Sequence, residues 1–315
     1  MKVLKGFALG ILGFLLFLSL SILGIAIMLN YTILNPDFVS TEIDKIDTSE
    51  LIKPLISEPI ISQIPPETQF LAGAVDKTID DLEPWIKEET NMAIHKVYSY
   101  LLGKSQSLSI TISLETLKET LRDNAWDALI QSPPPEFSSV PPAVAEQMFD
   151  QIYREFAGEI PSSLEFDQSL IPPDMMPIIE QTQLVLGYFQ AGFYGLIGFT
   201  ALVILLIVLI HRQVRGSTRT LGTTSLIVGA LTLVEIFLTS HFILPVLNQL
   251  PGQLGIPLAL QTWLQRWLPQ LLNDFLNPLQ VFSIGLIAAG IVLLIISYVY
   301  KPRTLPDQQP TPALL

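Results

Sequence analysis

Four uninterrupted apolar stretches punctuate the chain, at residues 7–29, 184–210, 221–244 and 281–300. Each holds the roughly 20 helical residues needed to cross a hydrocarbon core. Between the first two, the pattern breaks into shorter amphipathic runs. Asn35 followed by Pro36 predicts a capped helix start, and Asp47 with Glu50 three residues on resembles a capping box. Pro54, Pro59, Pro65 and Pro66 limit the next stretch to short pieces.

A stripe of Leu71, Val75, Ile79, Leu82, Ile86, Ile94, Val97 and Leu101 then predicts helix from about residue 67 to 102. Pro84 falls inside it and predicts a kink or two abutting helices. Residues 107–113 alternate with a period of two and predict a strand. Ser113 is expected to cap a helix carrying Leu114, Leu117, Leu121, Ala125 and Leu129. A proline-rich connection at 131–142 leads to a helix whose buried face is expected to be Val144, Met148, Ile152 and Phe156. Residues 162–170 are read as a second strand able to pair with the first, and one continuous helix is expected from Pro177 into the second apolar stretch.

The expected fold is therefore mainly α. It is a four-transmembrane-helix bundle with a large α-rich extracytoplasmic domain, bearing one short β-ribbon, inserted between helices 1 and 2. Residues 1–29 form the N-terminus and a first span read as an uncleaved signal anchor, because its apolar run is too long for a cleaved leader and lacks an A-x-A site. Residues 30–183 form the outer domain. The spans at 184–210 and 221–244 flank a basic cytoplasmic loop at 211–220. Residues 245–280 are read as an amphipathic interfacial loop with Trp263 and Trp267 as membrane anchors. The last span, 281–300, precedes a proline-rich tail, 301–315, expected to be disordered.

Charge orients this layout. Lys2, Lys5, Arg212, Arg215, Arg219, Lys301 and Arg303 all flank the spans on one side, with Asp307 the one acid opposing them. Cytoplasmic loops carry excess Lys and Arg, so both termini are expected in the cytoplasm of a cell whose plasma membrane the protein spans. Residues 30–183 carry 26 acidic and nine basic side chains, a net −17 within a chain of net −12. Such a domain repels nucleic acid and anionic headgroups, and a solvated surface explains most of its charge. The expected partners are the lipid bilayer and a protein at the extracytoplasmic face; a homo-oligomer is a further candidate.

Reactive chemistry is sparse. The chain has no cysteine, which excludes disulfides and thiol nucleophiles. No nucleophile elbow or glycine-rich phosphate loop appears. Asp76, Asp80 and Glu83 share a helix face, yet their spacing is not that of a calcium loop, and Lys77 and Lys87 lie close enough to pair with them. An ion-paired face is preferred over a weak cation site. His95, alone in the domain, makes a poor zinc ligand. No cofactor or metal is expected.

Within the spans, Gly187, Ala191, Gly195 and Gly198 form a small-residue stripe suited to close helix packing. Gly6, Gly10, Gly13, Gly285 and Ala289 suggest similar contacts, all read as packing inside the bundle. Glu235 is an acid within an otherwise apolar span, about 13 Å from its outer end, with Gln190 about 9 Å and Ser21 about 12 Å deep in theirs. Together with Ser283 these are expected to form a polar cluster in the bundle interior. A carboxylate facing lipid costs about 2.5–3.5 kcal/mol on insertion scales. The cluster serves either as polar glue or as a proton or cation step. The functional expectation is a non-enzymatic scaffold, assembly or sensing component; a small transporter or channel component using Glu235 is the alternative.

Overall fold

The computed structural model describes residues 2–49, 53, 71–138, 140–253 and 258–300. Glu50, the prolines from 54 to 66, Lys301, Arg303 and the tail lie outside the described residues. The fold is mainly helical with one two-stranded sheet. It divides into two compact units: one of residues Met1–Asn30, Gln190–Leu247 and Leu272–Leu315, the other of Tyr31–Phe189 and Asn248–Leu271.

Four helices are long and apolar enough to cross a membrane, and they mark the chain as a membrane protein. They are α1 (Lys2–Tyr31), α8 (Met176–His211), α9 (Val214–Gln253) and α10 (Leu258–Val299). Two expectations need correction here. The basic link at 211–220 is only a two-residue turn, so Arg215 and Arg219 lie on the first turns of α9. Arg212 takes a φ of 50°, and a Cβ at Gly216 would fall 2.0 Å from His211 Cδ2, so glycine lets the imidazole fold over the turn. The described residues of 245–280 are helical instead of forming a loop. Helix α9 continues to Gln253, and α10 runs unbroken past Pro269 and Pro278. Trp263 and Trp267 stack one turn apart on α10, with centroids 5.2 Å apart.

The core of the first unit is built from Leu16 and Leu20 of α1, Val203 and Ile207 of α8 and Val228 of α9, with the partly buried Phe282 and Leu286 of α10 packed against it. Its closest crossing is α9 against α10. A Cβ on Gly290 would meet the Gly222 carbonyl oxygen at 2.8 Å, and one on Gly229 would meet the Ser283 carbonyl oxygen at 2.7 Å. Gly222, Ser225, Gly229 and Thr232 thus form the small-residue face that packs, with Ser225 and Thr232 buried. The expected stripe does not: Gly187, Gly195 and Gly198 face open space, as do Gly6, Gly10 and Gly285.

The second unit follows its sequence pattern closely. Helix α2 (Pro36–Asp44) is capped by Asn35, whose side chain accepts from the Asp37 N–H at 3.1 Å. Helices α3 (Leu71–Asp81) and α4 (Glu83–Leu101) abut at Leu82, with Pro84 in the first turn of α4, where a missing N–H costs nothing. Strand β1 (Ser109–Ser113) pairs antiparallel with β2 (Ser163–Asp167), Ile110 opposite Phe166 and Ile112 opposite Leu164. Helix α5 (Glu115–Gln131) starts one residue later than a Ser113 cap implies; the Ser113 hydroxyl accepts from the Glu115 N–H at a long 3.4 Å. The proline-rich connection contains a helical turn, α6 (Pro135–Ser138), before α7 (Pro142–Glu159).

Helices α3 and α5 bring Ala74, Ile79, Ala125 and Leu129 to this core, joined by Leu82 from the α3–α4 junction. Buried Asn124 ties them together, donating to Thr78 Oγ1 at 3.2 Å and Asp81 Oδ2 at 2.9 Å. Asn124→Ala is expected to lower the thermal midpoint of the full-length protein, at a cost of about 1–3 kcal/mol for the acceptors left unsatisfied. An unchanged midpoint would show that water replaces the amide.

Candidate functional site

Helix α7 carries the most conspicuous departure from its sequence pattern. Val144, Met148, Ile152 and Phe156 recur every four residues and so share one face. That face was expected to be buried, yet the four side chains are 45%, 42%, 59% and 52% exposed. The adjacent face does the packing. Ala145 is buried, Phe149 lies against Trp126 with centroids 5.3 Å apart, and the Tyr153 hydroxyl donates to the Lys118 carbonyl at 2.5 Å. Arg122 of α5 fixes the rotation of α7 by donating from Nε and Nη2 to Asp150 Oδ1, at 3.0 and 2.6 Å. The helix is thus held by Ala145, Phe149, Asp150 and Tyr153, leaving the apolar stripe that ends at Phe156 outward.

The same unit exposes Leu164 and Phe166 on β2 and Leu170 just beyond it. Leu164 and Phe166 share a sheet face with their partners Ile112 and Ile110, of which Ile110 is buried. Glu146, Glu155 and Glu159 on α7 are exposed as well. The surface is an apolar stripe with acidic side chains on the same helix. A polar cleft of about 510 Å³ lies between α5 and α7, lined by Lys118, Glu119, Arg122, Asp150, Tyr153 and Arg154. Its charges are largely spent on one another, as the Arg122–Asp150 contact shows.

Two acids of the triplet, Asp80 and Glu83, form ion pairs with separate lysines, and among the described residues no ion pair involves Asp76. Lys53 Nζ lies 2.6 Å from Asp80, Lys87 Nζ lies 2.8 Å from Glu83, and Lys77 reaches Asp127 of α5 at 2.9 Å instead of an acid of its own helix. Among the described residues, no three His, Asp or Glu side chains converge to hold a metal ion. His95 lies 3.5 Å from Asp37. The hydrogen bond from Lys87 holds the Glu83 carboxyl below its ordinary range, and the Ser49 hydroxyl adds to this against partial burial. A carboxyl with a depressed folded value stabilises above its unfolded value and loses that contribution as pH falls through the folded one. Glu83→Gln should therefore shrink the drop in thermal midpoint between neutral and acid pH; an equally steep drop would remove Glu83 from the account.

The intramembrane residues do not gather. Ser21 and Ser283 donate to backbone carbonyls of their own helices, Phe17 at 2.9 Å and Leu279 at 2.7 Å. Glu235 is exposed instead of facing the bundle interior, and Gln190 is half-buried. No hydrogen bond joins any two of the four. What the sequence missed is that α9 buries no residue between 233 and 247.

The basic residues do share one end of their unit. Lys5 Nζ donates to the His211 carbonyl at 3.5 Å, and the Ser297 hydroxyl donates to the Arg215 carbonyl at 3.0 Å. These contacts bring the start of α1, the turn bearing Arg212, the first turns of α9 with Arg215 and Arg219, and the end of α10 together. Lys2 is the first residue of α1. No protein-family model, curated protein or solved structure matches this chain.

Proposed function

We propose that this membrane protein is a non-enzymatic scaffold, assembly or sensing component that engages a protein partner through its acidic, mostly helical unit. In this reading the basic end of the bundle is cytoplasmic and the acidic unit lies outside the plasma membrane. The observation that supports it is the outward apolar stripe of α7, Val144, Met148, Ile152 and Phe156. Soluble surfaces rarely expose a contiguous apolar face unless something binds it. Glu155 and Glu159, which flank the stripe on the same helix, favour a partner with an apolar centre and a basic rim. The transport reading through Glu235 gains no comparable support, because no hydrogen bond connects that carboxyl to another polar group of the spans.

The test places a photocrosslinking side chain at Met148 in the full-length protein in native membranes. One reproducible partner, captured from Met148 but not from Glu119 on α5, and lost on Ile152→Glu, is the expected result. Adducts formed equally from both positions, or only with lipid, would overturn the reading.

A further inference from the structure

We infer that the chain forms a homodimer within the membrane, in which Glu235 of each copy meets Gln190 of the other. This does not rest on the partner reading above, since it involves the other unit of the chain. Gln190 lies 22 residues before Arg212 and Glu235 lies 22 residues after Gln213, the two residues of the turn between α8 and α9. At the helical rise, both stand about 33 Å along their helices from that turn. They are therefore level with each other in an antiparallel hairpin.

Neither finds a hydrogen-bonding partner within its own chain, although an unpaired acid and amide in a hydrocarbon core are costly. Both also lie in stretches where their helices bury no side chain completely. Helix α8 buries no residue between 190 and 199, and α9 buries none between 233 and 247. In contrast, α1 and α10 keep burying Leu23, Ala26, Leu276 and Leu279. The faces of α8 and α9 in that half bury no side chain completely, which leaves surface there for a second copy to cover.

A second copy is the occupant whose chemistry the chain itself supplies. A two-fold axis along the membrane normal preserves level, so it presents the copy's Gln190 at the height of this chain's Glu235, and the reverse. The Gln190 amide donates to the Glu235 carboxyl, and the symmetric contact doubles the pairing.

The absence of cysteine makes the test clean. Two differently tagged copies are coexpressed, one carrying Tyr194→Cys and the other Leu231→Cys, positions one turn below Gln190 and Glu235. Oxidation should yield a species bearing both tags, well above a collision control with Val292→Cys on α10. Glu235→Leu should lower that yield about tenfold, and Glu235→Gln should keep most of it, because an amide still hydrogen-bonds. Step counting of the fluorescent full-length protein in dilute vesicles should give two bleaching steps, independently of any substitution. A dual-tag yield equal to the control would overturn the inference. So would indifference to Glu235→Leu, single bleaching steps, or pairing of Gln190 with Glu235 inside one chain.

Discussion

Gly290→Leu is expected to break the α9–α10 crossing and strongly destabilise the bundle. A Cβ there would stand 2.8 Å from the Gly222 carbonyl oxygen and 2.9 Å from the Leu226 N–H nitrogen. Both obstacles are backbone atoms of the facing helix, so no side-chain rotation relieves them; the helices must separate. Separation removes the contacts of Gly222 with Leu293 and Leu294 and of Gly229 with Ile287 along the same seam. Overpacking of this kind costs about 1–3 kcal/mol, and loss of the seam adds to it. Intrinsic propensity pushes the other way, because leucine is a better helix former than glycine by up to about 1 kcal/mol. The sign therefore decides between them. Thermal denaturation in bilayer nanodiscs should show a large fall for Gly290→Leu and Gly229→Leu. Gly10→Leu, where no atom lies within 4 Å, should be neutral or stabilising. Equal midpoints for Gly290→Leu and Gly10→Leu would mean that the two helices do not cross where described.

A second large contrast is expected between two aliphatic residues of the other unit. Leu129 on α5 is 4% exposed, and Leu129→Ala should cost about 2–5 kcal/mol through lost burial and the cavity left behind. Ile152 on α7 is 59% exposed, and Ile152→Ala should cost well under about 1 kcal/mol when the purified protein is alone. The comparison also bears on function. If a partner covers the α7 stripe, Ile152→Ala should leave the isolated protein's midpoint unchanged yet remove the added stability that the partner confers. A large loss from Ile152→Ala in the isolated protein would instead show that the stripe packs within the chain.

Much of the second unit was legible because its signals are local. Asn35 caps because its side chain reaches an N–H two residues away. Pro84 divides α3 from α4 because proline fits a first turn and not a helix interior. The two strands were recognisable from alternation, and their pairing requires little more than proximity. The four spans were legible for a similar reason: an apolar run of that length has few other solutions in water or lipid. Their ends were less so. Helices α9 and α10 extend far past the apolar stretches, since Arg215, Arg219 and Trp263 sit on helices as readily as in loops.

The sequence by itself determined the helix periods, and so which residues share a face. It set Val144, Met148, Ile152 and Phe156 on one side of α7. Tertiary structure alone decided what stands opposite each face. The glycines of α8 and α9 look equally suited to close packing, but Gly222 and Gly229 meet α10 while Gly195 and Gly198 meet nothing. The α7 stripe looks like a core face, but Arg122, Trp126 and the Lys118 carbonyl engage the adjacent side of that helix. Glu235 stands in a stretch of α9 that buries no side chain completely. Periodicity is a property of one helix, whereas burial belongs to a pair, and the second member is chosen by residues far away in the chain.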